Sequence, residues 1–456
     1  MDAMDWKFPD DFFSPPAHRG EEWPDFPDLR RAVDWLRGFI SEEEWAKRRD
    51  AAARRLYKAA LSQLEDSDDK GRLFEEGDAF GWYLFLAEAF LDHVWNYDPN
   101  FGSRVVPVLA AIGRELPLLK AVTGVDVRVR RLVGAEKRQP NGALFELLVA
   151  GAYRRAGADV EFIPETPGRG RTCDMNVRLH GRSWAVECKR MERGEYSERE
   201  RARMRELWGP SAAWLARDHR NVFCNAHFTV EIDAVPADYL TVKVKHWLAS
   251  SLPCFRWHDE IGNGEVHDLD LRPLQSVLLT DQVLCASSRL MELLTGQYHR
   301  NAKYISVIRT KPAHNPRYID ECDLVVLLKW DCIATASIEG KVRDILNKIA
   351  DGNEQIPDST PGIIHVGFEA IDGPAVEKIR FDKIMTTTHR FDPGAKYLEY
   401  VYCHYFIPES PPDQAWAYDE TTQWCAIRPS GPPPLSEFFL VLPSASASRT
   451  GPHWQS

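Results

Sequence analysis

Between Asn141 and Arg190 stand four side chains of the types that phosphodiester hydrolysis uses. Glu146, Asp174 and Glu187 are carboxylates, and Lys189 follows Glu187 by two residues. Oxygen ligands of this kind suit a hard cation such as Mg2+ or Mn2+. A lysine beside them can position or deprotonate an attacking water, or stabilise charge on the phosphate. That chemistry requires the four groups to converge, so the elements that carry them decide the matter.

Residues 143–153, ALFELLVAGAY, are apolar nearly all round, the pattern of a helix buried on most of its surface. Pro140 ends the incoming chain and Asn141 is a candidate N-cap. Glu146 is the one charge in that run. A buried unpaired carboxylate costs several kcal/mol or is neutralised by a shift in its pKa, so Glu146 needs a partner, and a salt bridge to Arg154 or Arg155 is the plain candidate. From Arg171 to Leu179 the chain alternates, with Cys173, Met175, Val177 and Leu179 on one face and Thr172, Asp174, Asn176 and Arg178 on the other. The turn His180-Gly181-Arg182 leads to a second strand, Ser183–Lys189. There Trp184, Val186 and Cys188 point one way and Ala185, Glu187 and Lys189 the other. The expectation is a hairpin with one apolar face and one face bearing Asp174, Glu187 and Lys189, in a register fixed by the buried side.

Asp174, twelve residues, then Glu187-Cys188-Lys189 resembles the D…(D/E)-x-K motif of the PD-(D/E)XK nuclease superfamily, and Glu146 matches the acidic residue that many branches carry on the first core helix. The resemblance covers roughly fifty residues of the 456. It implies a restriction-endonuclease-like core, a helix followed by a mixed sheet, within an α/β (α+β mixed) protein. It also implies that Asp174 and Glu187 ligate Mg2+ (or Mn2+) with help from the Cys188 backbone carbonyl. Glu146 would hold a second metal or orient the ligands, and Lys189 would act on the water or the phosphate. The family's proline before the first acid is absent, since Cys173 precedes Asp174. Pro164-Glu165 offers an alternative first acid at the mouth of the turn TPGRGR, and Asp174 is preferred because it lies in a strand facing the same way as Glu187.

The whole chain sets the bounds. A length of 456 residues suffices for two or three domains. No run of about 18 apolar residues exists for a membrane span, and the acidic start MDAMDWKFPDDFF lacks a signal-peptide pattern. Nine scattered cysteines without metal spacing point to reduced thiols and a cytoplasmic location. The net charge of −11 argues against nucleic-acid binding over the whole surface. Locally the balance reverses: from Arg169 to Arg205 there are eleven Lys/Arg against six Asp/Glu. Arg169, Arg171, Arg190 and Arg193 are the candidate phosphate contacts, and the run Arg128-Val-Arg-Arg with Lys137 and Arg138 lies just upstream. A solvated helix face of alternating charge accounts for 192–206 equally well.

Read in order, residues 1–135 form an α-helical N-terminal domain, with helices expected at about 41–65, 75–96 and 104–121. The nuclease-like domain spans 136–408 and carries a strand-rich insertion at about 219–335, in which 222–232, 239–248, 276–284, 304–309 and 324–330 read as strands. Residues 340–355 and the apolar run Pro361–Gly367 are expected to supply the crossover helix and fourth strand of the core. The pair 197–218 and 222–232 is the competing choice. Residues 409–456 read as a Pro/Ser-rich tail, partly flexible: the stretch from 429 is expected to be flexible apart from 438–442. Walker A, G-x-G-x-x-G, H-E-x-x-H and G-x-S-x-G motifs are absent.

The resulting expectation is a Mg2+-dependent endonuclease acting on nucleic acid, DNA before RNA, of the kind found in restriction or antiphage defence; that last step is analogy. A homo-oligomer or an activating protein partner is compatible with it, and a membrane partner is not. The rivals are a nuclease-like module that binds nucleic acid or a partner protein without cutting, and a helical interaction protein whose E-x-K strand is plain surface.

Overall fold

A computed structural model describes residues 12–15, 25–62, 77–164, 172–191, 195–435, 439–443 and 454. The protein is mixed α/β, built on two six-stranded sheets. Among the described residues, no helix is long and apolar enough to cross a membrane.

The first part is helical: α1 (Pro27–Arg37), α2 (Glu42–Ser62), α3 (Ala79–Asp92), α4 (Pro99–Arg114), α5 (Leu116–Leu119) and α6 (Val125–Val133). Asp78 and Asp98 cap α3 and α4 by accepting from the backbone N–H of Gly81 and Phe101. Helix α7 (Pro140–Arg155) then leads into β1 (Asp159–Phe162), β2 (Met175–Leu179) and β3 (Arg182–Arg190). The β2–β3 turn is His180-Gly181, both at positive φ (50° and 75°), as a two-residue hairpin whose twist matches its strands requires.

After β3 the chain leaves this sheet. Helix α8 (Glu195–Arg217) precedes β4 (Val222–Phe228), α9 (Tyr239–Ser250), β5 (Cys254–His258), β6 (Gly262–Asp268), α10 (Arg272–Leu278), β7 (Val283–Leu284), α11 (Ser288–Thr295), β8 (Lys303–Pro312) and β9 (Tyr318–Cys332). These strands make the second sheet, ordered β5-β6-β4-β9-β7 with β8 also on β9. Helix α12 (Thr335–Gln355) returns to the first sheet at β10 (Gly362–Glu369), followed by α13 (Pro374–His389), β11 (Leu398–Glu409) and β12 (Ala417–Ala426).

The first sheet runs β1-β2-β3-β10-β11-β12, with β3, β10 and β11 mutually parallel and the other pairs antiparallel. The strand beside β3 is therefore β10, and β4 belongs to the other sheet. Parallel strands need cover on both faces, and their sequences read as continuous apolar runs, as GIIHVGFE does in β10. Helix α7 packs one face with Phe145, Leu148 and Tyr153, in a core continuous with that of helices α1–α6. Helices α12 and α13 pack the other through Ile345, Ile349 and Ile384. Gly367 lets α7 approach: a Cβ there would stand 2.7 Å from the Phe145 ring.

Several expectations are corrected. Residues 239–248 are helical, because Tyr239, Leu240, Val244 and Trp247 bury one helix face, a spacing the alternating valines masked. The run 276–284 divides into the end of α10 and the two-residue β7. The segment after 408 is no mere tail, since β12 pairs with β11 along its whole length. Beyond it, the Glu420 carboxylate accepts from the backbone N–H groups of Leu440, Val441 and Leu442. Finally, the β3 face expected to be polar is covered by α12, so Ala185 and Glu187 are buried like Trp184 and Val186.

Candidate active site

Strand β3 carries Glu187, Cys188 and Lys189 just before its carboxyl end. Register places Met175 opposite Val186, so Asp174, one residue before β2, stands opposite Glu187. Its backbone N–H donates to the Val186 carbonyl at 3.1 Å. The Asp174 side chain turns back across the hairpin and accepts from the Cys188 N–H at 2.7 Å. Asp174 and Glu187 thus face each other across the hairpin. Lys189 Nζ donates to Glu187 Oε1 at 2.5 Å, while Glu187 Oε2 is buried with no hydrogen-bond partner. The sequence motif thus becomes a compact cluster.

Glu146 comes in from α7. Its partner is neither Arg154 nor Arg155 but Arg128 of α6, which binds it with two parallel hydrogen bonds, Nε to Oε2 at 2.5 Å and Nη2 to Oε1 at 2.8 Å. Arg128 also binds Glu136 at 2.5 Å. Within the basic run at 128–131, Arg128 and Arg131 are therefore neutralised internally by Glu136 and Glu146, while Arg130 is exposed beside the Phe39 ring. Arg128 was legible as buried: Val125, Val129, Leu132 and Val133 form an apolar stripe on α6, and position 128 falls on it. The spacing was there to be used.

Burial dominates the electrostatics. It raises the Glu146 carboxyl, against the pull of Arg128. It pushes Asp174 well above the usual carboxylate range, with the charges of Glu146 and Glu187 adding to the effect. Glu187 is raised to about 7 by burial and Glu146, although Lys189 opposes this. Burial thus disfavours the ionised forms of Asp174 and Glu187, and a cation placed beside them would favour ionisation.

Whether the residues fit a divalent metal follows from their donor atoms. Asp174 and Glu187 offer hard oxygens from directly opposed positions of one hairpin, and one oxygen, Glu187 Oε2, lacks any partner. That suits Mg2+, which is commonly bound through one or two carboxylates with waters and phosphate oxygens completing the shell. Glu146 does not fit as a ligand, since both its oxygens are taken by Arg128, and the second-metal role expected for it is withdrawn. Among the described residues, no group of three or more His, Cys, Asp or Glu is arranged to hold a metal. For Cys188 the structure shows its N–H on Asp174 and its thiol buried.

Of the candidate phosphate contacts, Arg169, Arg171 and Arg193 lie outside the described residues, as does the alternative acid Glu165. Arg190 is described. Its guanidinium lies 5.0 Å from the Phe406 ring centroid and 4.0 Å from Glu369, and it lines the large cavity where the two sheets and the α3–α4 helices meet. Comparison with protein-family models, curated proteins and solved structures gives no match.

Proposed function

We propose that the chain is a metal-dependent phosphodiesterase acting on nucleic acid, with a restriction-endonuclease-like core formed by α7, β1–β3, α12 and β10. The observation that carries this reading is the Asp174–Glu187 carboxyl pair, with its partnerless oxygen and Lys189 alongside, at the carboxyl end of a parallel strand. In open α/β sheets, that end is where ligands bind. Asp174 and Glu187 would hold one Mg2+ or Mn2+. When bound, the metal supplies Lewis-acid polarisation of a phosphoryl oxygen and lowers the pKa of a water.

The chain's own groups do the rest. The Cys188 N–H fixes the orientation of the Asp174 carboxyl. Lys189 swings between Glu187 and the phosphate, where its ammonium orients the attacking water and offsets the charge that develops on the oxygens. The Arg128–Glu146 pair sets the local field without touching the reacting atoms. DNA is the preferred substrate by resemblance alone.

The test is cleavage of plasmid and linear DNA with Mg2+, Mn2+ or EDTA. Metal-dependent cutting is expected from the wild type, with a loss of about 10²–10⁴-fold in Asp174→Asn and Lys189→Ala. Wild-type rates in both variants would overturn the assignment. One observation favours a second reading, a nuclease-like module that binds without cutting: Arg128 closes both oxygens of Glu146, leaving two carboxylates. That reading predicts nucleic-acid affinity unaffected by EDTA and no cutting under any condition.

A further inference from the structure

A cavity of about 1180 Å³ lies outside the acidic cluster. Its wall includes the carboxyl ends of all three parallel strands, at Arg190 of β3, Glu369 of β10 and Glu409 of β11, and faces β8 of the second sheet. Its size meets or exceeds that of ordinary small-molecule sites.

The chemistry of one wall is specific. Lys303, Lys341 and Arg380 surround Asp372, at 2.7, 3.6 and 3.5 Å respectively, and all four line the cavity. Three cations thus face it around Asp372, with Asp344 of α12 also on the wall. Glu200 and Glu377 stand behind the wall, at 3.0 Å from Lys341 and 3.0 Å from Arg380. Lys341 and Arg380 are each 5% exposed, and Arg380 Nε has no hydrogen-bond acceptor. Buried donors without acceptors on a cavity wall call for an anionic oxygen from a ligand. Farther along the wall Glu369 and Glu409 are held by Arg104 and Arg300, at 3.0 and 2.5 Å. The Trp330 and Phe368 rings already carry Lys303 and Arg380 on their faces, at 5.1 and 4.6 Å. Tyr298 and Tyr304, also on the wall, are the rings placed to receive a planar group.

We propose that this cavity binds a nucleotide, its phosphate against Lys303, Lys341 and Arg380 and its base against Tyr298 and Tyr304, at a site separate from Asp174, Glu187 and Lys189. The nucleotide is either a free molecule or one unit of a strand. Because the wall joins β8 and α12 to the end of β3, an occupied cavity ties the second sheet to the strand that carries Glu187. The inference stands whether or not the chain cuts nucleic acid.

Calorimetry on the full chain in EDTA, with ATP, inorganic phosphate and a single-stranded tetranucleotide as probes, tests it without any cleavage. The wild type is expected to bind ATP or the tetranucleotide with Kd below about 1 mM. ATP binding marks a free nucleotide, and tetranucleotide binding alone marks a strand. Lys303→Gln is expected to weaken binding about tenfold or more. Ser306→Trp, an exposed position of β8 on the cavity wall, should do the same by filling space without disturbing an ion pair, and it decides the matter if Lys303→Gln fails to fold. No binding of ATP or tetranucleotide by the wild type, or undiminished binding in Ser306→Trp, overturns the proposal.

Discussion

Arg128 carries an electrostatic load out of proportion to its place in the sequence. It is 8% exposed and neutralises Glu146 inside the core. Removing one partner of a buried pair leaves an uncompensated charge, so Arg128→Ala is expected to cost about 3–5 kcal/mol in urea unfolding. Adding Glu146→Gln should recover part of that loss; a single variant as stable as wild type would mean the pair is not buried in solution. At this scale, the grouping of Asp174, Glu187 and Lys189 was legible because a strand's period of two fixes which side chains share a face. The pairing of Glu146 was not read, because its partner comes from a separate helix and Arg128 was counted with its basic neighbours rather than with the apolar stripe it shares.

Among the elements, β10 and β11 are joined by more than their backbones. The Tyr153 hydroxyl, His365, His404 and Thr422 form one buried chain of hydrogen bonds of 3.0, 3.0 and 3.1 Å across the α7 face of the sheet. Burial pulls His404 down to about 3 and His365 well below the ordinary 6.5. Both are neutral in the fold, while the unfolded chain takes up protons below about 6.5. Stability from these two groups is therefore complete above that pH and is lost as pH falls towards the folded value. Glu187 and Glu420, each raised to about 7, act in the opposite sense. The check is thus a difference: in His404→Gln the acid-side loss of stability should be smaller than in wild type, and equal slopes would exclude the histidine contribution. Strand β10 was readable as a continuous apolar run; β12, AYDETTQWCA, was not, because an edge strand with polar positions carries no such signal. Helix α9 reads as a strand because Val242 and Val244 alternate with polar residues, although only Val244 lies on the buried helix face and Val242 is exposed.

On the scale of the molecule, length alone showed that something was inserted after β3, but not what it rests on. Arg317, 3% exposed at the start of β9, donates to the carbonyls of Trp95 and Tyr97 at 2.8 and 2.9 Å, fastening the second sheet to the N-terminal helices. Such a contact is invisible to local pattern, because its acceptors are backbone atoms more than two hundred residues away. Arg317→Ala is expected to leave those carbonyls unpaired at a cost of about 1–3 kcal/mol. It should also hasten limited proteolysis in 219–335 relative to the rest of the chain. Proteolysis unchanged in rate and site would show that the sheet is held elsewhere.

The adjacency of β3 and β10 also has a meaning in time. A ribosome that has finished Arg190 must add 171 further residues before Gly362, the first residue of the neighbouring strand, exists. At ordinary elongation rates that takes about 10–30 s. Throughout it, one edge of the strand bearing Glu187 and Lys189 has no permanent neighbour, while the intervening sheet has all its own strands and can fold first. The newborn chain therefore closes the second edge of the strand bearing Glu187 and Lys189 only after most of the chain has been made.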